Sequence, residues 1–409
     1  MKSGTLAIFV LVGLVGNVGQ LTAEEPSTAP AAPAGPVAKL SLPPAATGAM
    51  DAAHLAAAQK LMNGGIAWLL ANRESDGGWS LNGANKPAMT AMVLKALLQH
   101  PDFDAKHPVV RKGFEVLMKS RQKDGGFYAP QEGLANYTTA VAVMALKASG
   151  DTRYNDALEA AVAFLKGQQI IAGSESADGQ KITEDHPFFG GVSYGAHGRP
   201  DLSNAGYSAE ALHEFGLSAD DPYWKNMVVF VTRTQNLKET NPRPWAQQGA
   251  NDGGFIYAPA VKGDPNTGES KAGDDRFGLR SYGSMTYTGF KSLLYAGVDR
   301  KDPRVQAALR WIREHWRLDS NPNMPQIHSE EGLYYYYHVF AKALQAWGED
   351  EIADGKGVRH NWRHELIDAL GQRVAPDGHW ENPAKRWFEK LPALATCYSV
   401  LAIQEVMKK

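Results

Sequence analysis

The sequence predicts an all-α protein assembled from six helix-pair repeats, and three observations carry that expectation. A short phrase returns six times, as Asp76-Gly-Gly-Trp79, Asp124-Gly-Gly-Phe127, Gly190-Gly-Val-Ser-Tyr194, Asp252-Gly-Gly-Phe255, Glu331-Gly-Leu-Tyr334 and Asp377-Gly-His-Trp380. Each copy follows a segment with apolar residues at helical spacing. Each is followed by an Ala-rich segment that is apolar on most sides, as a buried helix is. A fixed phrase recurring between helices is the mark of a repeat architecture.

Taken in order, Met1-Lys2 gives a short basic start, Thr5 to Val18 is apolar and uncharged, and Leu21-Thr22-Ala23 offers a small residue for cleavage. Residues 1–23 therefore read as a signal peptide, and the protein as exported to a periplasm or the extracellular space. The apolar run is short of the roughly 20 residues a span needs, so no membrane span is expected after cleavage. Residues 24–49 are dominated by Ala, Pro, Ser and Thr and read as a linker. The folded domain is expected over 50–409.

The six amphipathic helices are expected at Gly65–Asn72, Val110–Gln122, Ala157–Gln169, Asn226–Asn236, Val305–Trp316 and Leu366–Arg373. In each phrase Gly suits the left-handed residue that stops a helix, Asp favours a turn, and the aromatic can fold back over the helix end. The second helices align from Thr90, Thr139, Ser208, Thr288, His338 and Thr396, so that His338 replaces a hydroxyl residue. Six such pairs can close into a ring, with the Ala-rich helices inside, or stack as an open solenoid.

Composition narrows the function. A net charge of -2 over 409 residues gives no electrostatic case for nucleic acid or an anionic membrane. The single cysteine, Cys397, excludes an intramolecular disulfide, so an exported chain of this kind depends on its core.

Asp-Gly-Gly-Trp/Phe, with Gln122, Gln168 and Gln235 upstream and Thr-Ala-x-x-Leu-x-Ala-Leu downstream, resembles the prenyltransferase/squalene-oxidase repeat of the squalene-hopene cyclase and protein prenyltransferase superfamily. The resemblance spans residues 55 to 407. It implies an (α/α)6 toroid whose central cavity commonly receives isoprenoid chains. The family's activities do not carry over with it. The cyclases protonate an alkene from an Asp-x-Asp-Asp run before an inner helix, and none of the six equivalent positions here is acidic. The prenyltransferases bind zinc through Asp, Cys and His, whereas Ala395 precedes Thr396-Cys397-Tyr398 and no Asp-x-Cys occurs. Neither a metal site nor a cofactor is expected, and His360 and His364, four apart, read as solvated surface residues.

What departs from the repeat supplies the candidate site. Tyr334-Tyr335-Tyr336-Tyr337-His338 and Ser281 to Tyr287 stand at inner-helix starts, as does Tyr207. Tyr207, Tyr282, Tyr287, Tyr336 and Tyr337 are expected either to line a cavity mouth for an apolar or isoprenoid-like ligand, or to plug the ring with their hydroxyls bonded to neighbouring turns. The Gly-rich insertion from Asn241 to Arg280 carries Asp274 and Asp275, which with His338 are the candidate catalytic groups. Its length suggests a cover over the mouth. Three functions stay open: a toroid binding an isoprenoid-like ligand, an enzyme on lipid or glycan with a non-standard site, and an interaction ring with a filled centre.

Overall fold

The computed structural model describes residues 40–41, 50–175, 179, 181–195, 198–261, 264–384 and 386–408. The expected signal peptide lies outside these residues, as does the linker apart from Leu40 and Ser41. Those two dock on the folded body. Leu40 packs against the core, the Ser41 N–H donates to Asp102 Oδ2 (2.5 Å), and its carbonyl accepts from Asn63 Nδ2 (3.2 Å). No helix among the described residues is long and apolar enough to cross a membrane.

The body is an (α/α)6 toroid. In chain order its helices are α1 (Ala52–Ala71), α2 (Lys86–Leu98), α3 (Pro108–Met118), α4 (Ala135–Ser149), α5 (Asn155–Gly167), α6 (Leu202–Phe215), α7 (Pro222–Thr232), the short α8 (Pro244–Gln248), α9 (Gly283–Tyr295), α10 (Pro303–Glu314), α11 (Leu333–Trp347), α12 (Trp362–Arg373) and α13 (Pro392–Val406). Two small antiparallel hairpins complete it, β1 (Asp274–Asp275) with β2 (Gly278–Leu279) and β3 (Glu351–Ala353) with β4 (Arg359–Asn361). Helices α2, α4, α6, α9, α11 and α13 form the inner ring. Each packs on the next, and α13 closes on α2. The open solenoid is thereby excluded.

The outer helices begin earlier than their apolar periodicity suggests because their first turns are polar and capped. His107, Asp221 and Asp302 each precede a proline and accept from the N–H two residues on, at 3.3, 3.0 and 2.9 Å. Proline costs nothing there, since the first N–H groups of a helix have no partner within it. Helix α1 starts earlier still, at Ala52, behind the Asp51 cap.

The helix-stopping role expected of the phrase is not the one observed: five copies form a separate turn beyond the outer helix, and in the fifth Gly332 is the N-cap of inner helix α11. Asp76, Asp124 and Asp252 each accept from the N–H of the second glycine at 3.0 Å. The first glycine has positive φ and lies against the outer helix of the next unit. A Cβ on Gly125 would stand 2.7 Å from Ala160 O in α5, one on Gly190 1.8 Å from Asn226 O in α7, and one on Gly253 2.6 Å from Ala307 O in α10. In the last unit, Gly378 meets Gly64 O of α1 (2.8 Å), which continues the same contact across the closure. Glycine is needed for both reasons at once, the left-handed φ and the close approach.

The aromatic that ends the phrase locks outer to inner helix. Trp79 Nε1 donates to Leu69 O (2.6 Å) and Trp380 Nε1 to Leu370 O (2.9 Å), covering the ends of α1 and α12. The backbone N–H groups of Trp79, Phe127, Phe255 and Trp380 donate to the hydroxyls of Thr90, Thr139, Thr286 and Thr396 at 3.0, 2.9, 3.1 and 3.0 Å. The equivalent residue of the fourth unit is therefore Thr286 rather than Thr288, and the gapless alignment of the inner helices is corrected. We expect Thr139→Val, which keeps the shape and strands a buried N–H, to cost about 1–3 kcal/mol in denaturant unfolding. A change below a few tenths would remove this lock from the account.

Candidate functional site

The axis of the ring is lined by one stripe of each inner helix at i, i+3, i+7 spacing. Near the N-terminal ends of these helices the stripe is aromatic. The hydroxyls of Tyr207 on α6 and Tyr398 on α13 are 2.9 Å apart, and Tyr335 on α11 reaches Ser203 (3.2 Å) and Thr288 (3.3 Å). Tyr137 packs edge-on to Tyr207, with ring centroids 4.8 Å apart. Burial pushes the Tyr207 and Tyr398 hydroxyls well above the ordinary range, so these phenols are neutral.

One turn further on, the stripe becomes charged. Glu210 of α6 meets Lys291 of α9 at 2.6 Å and Lys342 of α11 at 3.0 Å, with Lys95 of α2 at 3.5 Å. Glu214 joins Lys95 (2.6 Å) and Lys342 (2.8 Å), and Glu405 of α13 joins Lys342 (2.8 Å). Three lysines and three glutamates from five inner helices thus balance at the centre. Burial raises the Glu405 carboxyl, but Lys342 and Lys408 outweigh it and hold it down at about 2. Burial likewise opposes ionisation of Glu210, and Lys291, Lys342 and Lys95 keep it well below the usual range.

His338 sits in this layer with its Nε2 3.9 Å from Glu210. Burial lowers its pKa to about 3, with Lys342, Lys291 and Lys95 adding to the effect against Glu210. The imidazole is thus neutral and buried among opposed charges. It does not stand where a hydroxyl residue should, because the turn locks place the equivalent residue of α11 further towards its N-terminus.

The side chains leave little room at the axis. A void of about 10 Å³ remains, lined by Met92, Lys95, Val141, Met144, Tyr207, Glu210, His338 and Leu401. That is about one water molecule, whereas a ligand pocket is roughly 300–1,000 Å³. At this level the axis is packed, and of the five expected tyrosines it is Tyr207 that lines the remaining void.

The other expected groups are distributed as follows. Of the five tyrosines, only Tyr207 takes part in the axial cluster. Tyr336 and Tyr337 donate outward to Arg317 O (2.8 Å) and Leu318 O (2.5 Å), tying down the loop after α10. Tyr287 is buried edge-on to Tyr336, and Tyr282 is buried at the start of α9. Asp274 and Asp275 form β1, are exposed, and do not join His338 in the core. The Asn241–Arg280 insertion reaches the N-terminal ends of α6 and α9, where Tyr257 O accepts from Leu202 N (2.8 Å) and Phe255 O from Tyr282 N (3.3 Å). His360 and His364 do not pair: His360 stacks on Trp316, and His364 stacks on His54.

A groove of about 780 Å³ lies outside the ring, between the loop that precedes α11 and residues 383–384. Its wall carries Arg317, Asp319, Asn323, Gln326, Glu330 and Glu331. Each carboxylate has a cation: Asp319 with Arg317 (2.7 Å), Glu330 with Arg373 (3.0 Å) and Glu331 with Arg386 (2.8 Å). Trp387 and Phe388, next in the chain to Arg386, are partly exposed and hold positive φ of 58° and 64°. Two consecutive non-glycine residues in that region are strained, and such strain clusters at functional sites.

Beneath them Glu389 is buried at the start of α11. It accepts from Tyr334 N (3.2 Å), Tyr335 N (2.7 Å) and Asn382 Nδ2 (2.7 Å), and burial pushes its carboxyl up to about 7 against these donors.

No family model matches the chain, and no curated protein matches it significantly. Solved structures match its fold. A variant of the type II terpene cyclase MstE from Scytonema, in complex with its substrate geranylgeranyl dihydroxybenzoate, aligns with a TM-score of 0.51 and 13% identity, over 87% of this chain and 99% of that one. An unsaturated glucuronyl hydrolase specific for heparin aligns with a TM-score of 0.54 and 11% identity, over 86% and 97%. An α-amylase from Clostridium perfringens aligns with a TM-score of 0.50 and 11% identity, over 84% and 97%. At these identities the likeness establishes the toroid fold alone, which serves terpenoid and glycan chemistry alike.

Proposed function

We propose that this protein is an exported ring-shaped binding protein that takes a polar, glycan-type ligand in the groove beside α11, with its centre serving as a structural plug. The observation that carries the reading is the contrast in space, about 10 Å³ at the axis against about 780 Å³ in the groove. The chemistry of the groove supports a sugar. Gln326 offers an amide donor and acceptor, Asn323 adds an amide oxygen beside the Nδ2 that donates to Ser281 O (2.6 Å), and the paired carboxylates and guanidinium groups offer more. Binding is favoured over hydrolysis because every groove carboxylate already faces an arginine. Arg317 holds the Asp319 carboxyl below its ordinary value, which makes it a poor proton donor.

The isoprenoid reading has one observation in its favour, the fold it shares with a cyclase that holds a geranylgeranyl substrate. It requires the axial tyrosines and the charged layer to part. A glycan array followed by titration calorimetry separates the two. We expect oligosaccharide binding that Gln326→Ala weakens several-fold, the effect of losing about 1 kcal/mol of hydrogen bonding. Absence of any glycan ligand, together with isoprenoid lipid co-purified in native mass spectra of protein from its host, would overturn the proposal.

A further inference from the structure

The geometry points to a second site on the opposite side of the chain's logic: a divalent transition-metal site of the zinc type at the seam where the first and last repeats meet, formed by Asp51, His54 and His364. Asp51 and His54 stand at the start of α1, and His364 on the first turn of α12. These helices belong to the first and sixth units and pack on each other only because the ring closes.

One ligand atom from each of the three residues can be chosen so that all lie within 4.8 Å of one another. His54 Nδ1 is 2.9 Å from Asp51 Oδ2, and the two imidazoles stack with centroids 3.9 Å apart at an angle of 2°. Zinc bonds of about 2.0–2.1 Å put tetrahedral ligand atoms roughly 3.4 Å apart. Closing from the present spacing takes side-chain rotation, for which the site has freedom: the Asp51 side chain is 55% exposed and that of His54 24%.

Without an ion, His54 is paired with the carboxylates of Asp51 and Asp368 and His364 Nε2 accepts from the Asp51 N–H (3.2 Å), contacts that metal binding would replace in part. A metal-bound imidazole usually gives its second nitrogen to a carboxylate, which fixes the ring and raises its basicity. His54 has that partner: with Nδ1 facing Asp51, its Nε2 lies 3.5 Å from Asp368 Oδ1, one turn after His364 on α12. Two neutral imidazoles and one carboxylate as ligands, an outer carboxylate behind one of them and an open fourth position form a donor set that suits zinc. A bound ion would join the entry of the folded body to its last outer helix and so hold the ring shut. The histidine pair noted in the sequence, His360 with His364, is the wrong pair. The structure supplies His54, three hundred residues away in sequence, as the partner.

The test uses the full chain, stripped with chelator and reloaded with Zn²⁺ or Co²⁺. We expect one equivalent of zinc by elemental analysis, a visible absorption band on Co²⁺ loading, and a melting temperature that rises by several degrees at saturating metal. His54→Ala and His364→Ala should each abolish the cobalt band while leaving the metal-free melting temperature within a few degrees of the parent. Asp368→Asn should retain the band and weaken affinity about 10- to 100-fold. Stoichiometric metal that survives both histidine substitutions, or no metal bound by the folded parent, would overturn the assignment.

Discussion

Lys342→Met is expected to destabilise the ring by about 3–5 kcal/mol, the usual cost of removing one partner from a buried ion cluster. Lys342 is almost fully buried on α11 and lies within 3.0 Å of Glu210, Glu214 and Glu405. Methionine preserves helix propensity and most of the volume, so the measured loss reports on charge. It would take their shared lysine from Glu210, Glu214 and Glu405, leaving buried Lys95 and Lys291 for the first two and the more exposed Lys408 for the third. Denaturant unfolding at pH 7 reads the effect. Adding Glu405→Gln should recover part of it, since it removes one of the three carboxylates that lose Lys342. A loss under 1 kcal/mol would mean that solvent reaches the cluster and that the plug is not dry.

The second large effect is a pH dependence centred on His338. In the unfolded chain this imidazole titrates near 6.5, and in the fold its pKa is lowered to about 3. Between those values the unfolded state holds a proton that the folded state does not, so the neutral-His contribution is complete above pH 6.5 and is lost as pH falls towards 3. At about 1.4 kcal/mol per pH unit, acidification from 6.5 to 4.5 costs about 2–3 kcal/mol. Glu389 acts in the opposite sense: its folded pKa of about 7 exceeds the unfolded 4.5, so folding gains on acidification through that window. Glu405, held at about 2, contributes a loss only below pH 4.5. The informative quantity is therefore the difference between parent and His338→Gln. We expect the variant to gain about 2–3 kcal/mol on the parent between pH 6.5 and 4.5, and a difference independent of pH would refute the buried neutral imidazole.

How much of this was readable from the residues depends on the helical phase. The repeat phrase is legible because glycine is forced by backbone contacts at Gly125, Gly190, Gly253 and Gly378, and forced residues leave a pattern. The inner-helix alignment slipped in the middle units. There the threonine lock is replaced or shifted, and an Ala-rich helix apolar on most sides has no face from which to read rotation. Tyr336 and Tyr337 were accordingly expected at the mouth, whereas the axial residues of α11 are Tyr335, His338 and Lys342. The charged layer did leave a signal, since Lys95, Glu210, Lys291 and Lys342 interrupt otherwise apolar helices at i, i+3, i+7 offsets from the mouth residues. Isolated charges in a buried helix require partners, and searching for them would have found the cluster. The groove and the Asp51–His54–His364 set left none, because each joins loops or helices that are distant in sequence.

The balanced charges at the axis also bear on how the chain is made. Glu210 and Glu214 on α6 are synthesised after Lys95 but well before Lys342 on α11, and Glu405 on α13 comes last. A growing chain that has produced three units therefore holds Glu210 and Glu214 against Lys95 alone. Its inner helices cannot dehydrate those groups without stranding some of them. The complete set of three lysines and three glutamates exists only in a chain that carries both Lys95 of the first unit and Glu405 of the last.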